Sequence, residues 1–181
     1  MSRNVLATIV AAAALLLQVA VANRLPLPAS VSPNLVLLAV VALALVNGSM
    51  TGLVTGFFAG LATDIVPPAD HTIGRYAFVY CLIGYVCGLA ADDLERSPVL
   101  PFVAVAAGAL AGSVLYAMVG MLLGDPRTRW PVLSHQLPVQ VLYDVIASPF
   151  VVWAVLRLTR RAERQHDPGG LDAVPGFYRA R

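Results

Sequence analysis

Of 181 residues, 59% are hydrophobic and only 12% charged, against roughly 45–50% apolar and about 25% charged in a soluble domain. So little polar surface cannot face water, and at roughly 20 apolar residues per crossing the length has room for six spans at most and for no separate soluble domain. The net charge of +2 comes entirely from arginine, with no lysine. Those arginines are scattered through loops and one tail, which excludes a nucleic-acid-binding surface.

Six hydrophobic runs follow one another, each bounded by turn or charge signals: about 5–22, 33–46, 48–66, 73–91, 99–123 and 136–158. The first begins after Arg3 and ends at Ala20-Val21-Ala22, a small-residue pattern like a signal-peptide cleavage site. Its apolar stretch of 18 residues exceeds the usual length of about 7–15 for a cleaved signal, so it is expected to remain as a helix. Pro33 opens the second run, where proline is tolerated at a helix start. That run is short, and only Asn47-Gly48-Ser49 separates it from the third, which predicts a tight helical hairpin.

The third run carries Gly48, Gly52, Gly56 and Gly60 at every fourth position, followed by Asp64, beside a second small stripe of Thr51, Thr55, Ala59 and Thr63. Small residues at this spacing let another helix backbone come close, which drives packing in lipid, whether that helix is internal or belongs to another protein. The fourth run repeats the device with Gly84 and Gly88, and the fifth with Gly108 and Gly112, interrupted at Tyr116. Asp64 ends the third run and Arg75 starts the fourth. Across the turn 66–71 the two are positioned to clamp a hairpin as an ion pair, or to join Asp144 in a functional site. Cys81 and Cys87 lie on different helix faces and form no metal motif.

The sixth run has a polar stripe at strict i+4 spacing: Gln136, Gln140, Asp144 and Ser148. Asp144 lies eight residues in, roughly 12 Å deep at the α-helical rise, where a carboxylate facing lipid costs several kcal/mol. It must face the bundle or a wet cavity, or be protonated. Pro149 frees the carbonyl of Val145 four residues back and predicts a kink or a local site. Arg157, Arg160, Arg161 and Arg164 then form a juxtamembrane cluster that anchors the span and attracts anionic headgroups. Residues 161–181 read as a polar, disordered tail after a membrane domain of residues 1–160.

With both termini in the cytoplasm, the inner segments hold eight arginines and the outer ones four. That bias sets the expected orientation, multi-pass in the cytoplasmic (inner) membrane. Catalytic patterns are weak. Asp92-Asp93-Leu94-Glu95-Arg96 lacks a second acidic cluster, and His71, His135 and His166 sit in separate loops. A lipid-directed enzyme using Asp64, His71 or Asp92 and Asp93 is the least supported class. No catalytic residue, cofactor or metal is expected.

The segment Gly56-Phe57-Phe58-Ala59-Gly60-Leu61-Ala62-Thr63-Asp64-Ile65-Val66-Pro67-Pro68 leads on to Gly74-Arg75-Tyr76-Ala77, then Leu82-Ile83-Gly84-Tyr85 and Gly88. In this order it resembles the core signature of MreD, the rod shape-determining membrane protein family. Pro33 to Leu38 is similar to that family's second helix. Tyr143-Asp144-Val145-Ile146-Ala147-Ser148-Pro149-Phe150 is similar to its last, where the family often has Asn at the position of Asp144. The resemblance covers about residues 1–162. It implies an all-α bundle of six transmembrane helices, similar in fold to the substrate-binding subunit of energy-coupling-factor transporters. It also implies a non-catalytic role in cell elongation, regulating peptidoglycan synthesis beside an MreC-like bitopic partner, and indirectly MreB, RodA and a class B penicillin-binding protein. A groove such as Gly52/Gly56/Gly60 is then expected to receive the partner's membrane helix or a second copy of this chain. The alternative is a binding subunit for a vitamin or other small solute, with a cavity lined by Arg75, Tyr80, Gln140 and Asp144.

Overall fold

The computed structural model describes residues 3–24, 32–66, 73–91, 99–124 and 130–166. Among them the chain forms six α-helices: α1 (Arg3–Ala20), α2 (Leu35–Asn47), α3 (Ser49–Ile65), α4 (Arg75–Gly88), α5 (Leu100–Leu122) and α6 (Trp130–His166). A single 3-10 turn, Ala22–Arg24, follows α1. The expected hairpin is built on one residue: α2 stops at Asn47 and α3 starts at Ser49, with Gly48 between them at φ +89°. Only glycine takes that backbone without strain.

α2 is the axis of the bundle. It packs against α1, α3, α4, α5 and α6, and its residues Val36 to Leu45 are all buried. A helix apolar on every side needs such an enclosure, and this explains its shortness. At about 1.5 Å per residue, its 13 residues reach about 20 Å, less than a hydrocarbon core of about 30 Å. It is enclosed by the other five helices.

The outer surface has the opposite composition. Leu16, Phe58, Phe78, Met118, Phe150 and Trp153 are exposed large side chains, while the core joins leucines and valines of α2 to Tyr80 and Ile83, and glycines make the closest helix crossings. Among the described residues, three stretches are long and apolar enough to cross a bilayer, Val5–Arg24, Leu100–Leu122 and Gln136–Thr159; α2 and α4 are apolar but shorter.

α6 differs most from expectation. The hydrophobic run suggested residues 136–158, but the helix runs from Trp130 to His166, through both Pro138 and Pro149. Residues 161–166 are therefore helical and not part of a disordered tail. The carbonyl that Pro149 frees does not become a site: Ser148 Oγ donates to Val145 O at 2.8 Å. A neighbouring hydroxyl is one of the usual ways a transmembrane helix absorbs a proline.

Candidate functional site

The polar side chains gather at the end of the bundle where α2 and α4 begin and α1 and α3 finish, called here the polar end. α4 starts at Gly74, in the left-handed region at φ +97°, with no side chain of its own to cap the helix. Asp64, fully buried at the end of α3, supplies the missing acceptor. Its Oδ2 accepts from the backbone N–H of Gly74 at 2.9 Å and of Ala77 at 3.1 Å, and its Oδ1 from Tyr76 N–H at 3.1 Å. These are three of the amides that a helix start leaves without partners. At roughly 1.5–3 kcal/mol per bond to a charged acceptor, they offset a desolvation cost of several kcal/mol, and the positive end of the α4 dipole adds to them.

The start of α2 is held in the same way by three elements. Asn34 caps it directly, its Oδ1 accepting from Leu37 N–H at 3.1 Å. Asp144 of α6 accepts from Asn34 N–H through Oδ1 at 2.6 Å, and Gln18 of α1 accepts from Leu35 N–H through Oε1 at 2.8 Å. Tyr80 of α4 donates its hydroxyl to the same Asn34 Oδ1 at 2.8 Å. Gln18 Nε2 in turn donates to Asn23 Oδ1 at 2.9 Å. Asp144 is fully buried, and its Oδ2 is one of two buried polar side-chain atoms without a hydrogen-bond partner among the described residues, with Ser113 Oγ. The polar stripe of α6 thus turns progressively inward: Gln136 and Gln140 are half-buried, Asp144 and Ser148 buried.

A ladder of rings links the two caps. Arg75 is 3% exposed. Its Nε and Nη2 donate to the backbone carbonyl of Tyr116 at 3.1 and 2.7 Å, and its guanidinium carbon lies 3.6 Å from the centre of the Tyr116 ring. Tyr116 stacks on Tyr76 with centroids 4.4 Å apart, and Tyr76 meets Tyr80 at 5.4 Å. From Asp64 to Asp144 the contacts are continuous through α4, whose residues 76 and 80 share one face. This unites Asp64, Arg75 and Asp144 in one network, in which the bonds given above for those three end on backbone groups. Of the side chains expected to line a cavity, Arg75 and Tyr80 donate to the Tyr116 carbonyl and to Asn34, Asp144 gives one of its two oxygens to Asn34 N–H, and Gln140 is half-buried.

The glycine stripes are also used internally. A methyl group built on Gly52 would collide with the carbonyl of Gly84, one on Gly56 with the carbonyl of Tyr80, and one on Gly60 with the backbone of Tyr76 and Ala77. Gly88 meets Ser49 in the same way, while Gly108 faces Val41 and Cys87, and Gly112 faces Leu37. The expectation that Gly52/Gly56/Gly60 receives a helix of another protein is therefore corrected: α4 of the same chain occupies that groove. The threonine stripe is self-satisfied, with Thr51, Thr55 and Thr63 hydroxyls donating to carbonyls one turn back.

Sequence reasoning passed over Gln18, quoted Tyr76 only within the family signature, took Tyr116 for an interruption, and gave Asn34 no role. A signal existed for Asn34, a capping residue just before an apolar run. His71 and Asp92 to Arg96 lie outside the described residues.

Glycine-packed contacts, polar groups turned inward and large apolar side chains turned outward define a helical membrane protein. The chain belongs to the MreD family: the family described as rod shape-determining protein MreD matches residues 2–161, and a role in rod-shape determination follows from that membership. No curated protein and no solved structure matches the chain.

Proposed function

We propose that this protein is a non-catalytic membrane component of the cell-elongation complex, regulating peptidoglycan synthesis by binding an MreC-like bitopic partner within the bilayer. MreB, RodA and a class B penicillin-binding protein are engaged indirectly, and self-association is a second use of the same outer faces. Family membership over residues 2–161 is the observation that carries the proposal. The geometry supports it: buried polar groups and glycine grooves are consumed in building the bundle, which leaves helix faces as the means of contact. All six helices are taken to cross the inner membrane with both termini cytoplasmic, residues 1–160 forming the membrane unit, and the polar end then faces away from the cytoplasm.

Depletion in a rod-shaped host tests this directly. Cells should round and lateral wall insertion should fall, and the MreC-like protein should co-purify with the chain from detergent. Unchanged cell shape together with absent co-purification overturns the proposal. A small molecule retained stoichiometrically and seen by mass spectrometry would instead favour a solute-binding subunit.

A further inference from the structure

α6 continues as a helix beyond its apolar stretch, Gln136–Thr159, to His166. Its bundle-facing side is marked by the buried residues Asp144, Ser148, Val152, Val155 and Thr159. At 100° per residue, positions 157, 160, 161 and 164 fall within an arc of about 100° on the opposite side of the helix, with Trp153 in the same arc. Arg157 is exposed, and its guanidinium carbon lies 4.9 Å from the Trp153 ring, itself 60% exposed. Glu163, the only acidic residue between 153 and 166, falls outside this arc.

From this juxtaposition we infer that the arginine face of α6 is a binding site for anionic phospholipid headgroups in the leaflet at the end of the bundle opposite the polar end. Lipid is the occupant because of where the face lies. It is turned away from the protein, where acyl chains surround α6. It begins at a tryptophan one turn before Arg157, near the end of the apolar stretch where amphipathic rings anchor, and continues over helix positions 160, 161 and 164, all arginine. Arginine pairs with phosphate oxygens through two parallel N–H donors, and a headgroup layer offers such oxygens with net negative charge. The inference rests only on the chain being embedded in a bilayer and holds whether or not the partner proposal does.

Trp153 reports on the site. The full chain carrying Trp130→Phe, which leaves one tryptophan of the two, is reconstituted into vesicles containing either acyl-brominated phosphatidylglycerol or acyl-brominated phosphatidylcholine at equal mole fraction. Quenching should favour phosphatidylglycerol by roughly fivefold or more, given the pull of several basic residues near an anionic surface. The preference should fall close to one in Arg157→Gln/Arg160→Gln/Arg161→Gln/Arg164→Gln and survive in the matching set of lysine substitutions. Because loss of the arginines could also disturb insertion, the unsubstituted arginines are tested by salt. The preference should shrink between about 0.05 and 0.5 M, as the screening length contracts. Equal quenching by the two lipids, a preference unaffected by salt, or one retained in full by the glutamine set overturns the inference. So does a face that ignores anionic lipid and instead binds an acidic peptide.

Discussion

Asp64 and Asp144 perform the same task with different margins. Asp64 satisfies three amides of α4 with two oxygens. Asp64→Ala leaves all three without that acceptor, the Ala77 amide buried, and should cost about 3 kcal/mol; Asp64→Asn, with a single oxygen to offer, should fall between. Asp144 satisfies one amide, that of Asn34, through one oxygen. Asp144→Asn keeps an acceptor of the same shape and should stay within about 1 kcal/mol of the parent, while Asp144→Ala should lose about 1–3 kcal/mol. Unfolding in mixed detergent and SDS would measure both series. An Asp144→Asn loss equal to that of Asp144→Ala would show that the charge, not the acceptor, holds the start of α2. Ser148 belongs to the same scale. Its bond to Val145 O replaces the one that Pro149 removes, so Ser148→Ala should cost about 1 kcal/mol in the parent and clearly less in a Pro149→Ala background. A double-mutant cycle reads that coupling.

Between elements, the closest contact is α3 on α4, where backbone meets backbone. Gly56→Ala forces a methyl group into the carbonyl of Tyr80, whereas Gly112→Ala meets only the far end of the Leu37 side chain. The first should destabilise by about 3 kcal/mol and the second by about 1 kcal/mol or less, again read from unfolding in detergent. The spacing of these glycines announces close packing, because periodicity defines a face. It does not name the neighbour, which is why the groove looked open to another protein. That Asp64 would meet the start of α4 was legible because the two lie ten residues apart; that it would accept from backbone amides there was not. The Asp144–Asn34 bond spans 110 residues, and no local pattern encodes it. The five earlier helices lie within a few residues of their hydrophobic runs. The ends of α6 do not, because hydropathy marks where lipid stops and not where the helix stops.

Over the described residues, an apolar core around α2, buried polar groups and an outer surface rich in large apolar side chains make a block whose outer faces suit lipid. A fluorescent protein fused after Arg181 should fluoresce, and alkaline phosphatase fused there should be inactive, if the last segment is cytoplasmic. Active phosphatase would reverse the orientation proposed above. The enclosure of α2 also bears on biogenesis. This helix leaves the ribosome second, but α4, α5 and α6, which surround it and whose Tyr80 and Asp144 secure its first turn, emerge later. Until then α2 is a segment too short to settle in lipid unaided, and it must be sheltered by the insertion machinery or by α1. The native arrangement is thus completed only when the last helix arrives, which makes the C-terminal third a checkpoint. A chain released early would carry an unsheltered α2, and membrane proteases would have a ready mark by which to remove it.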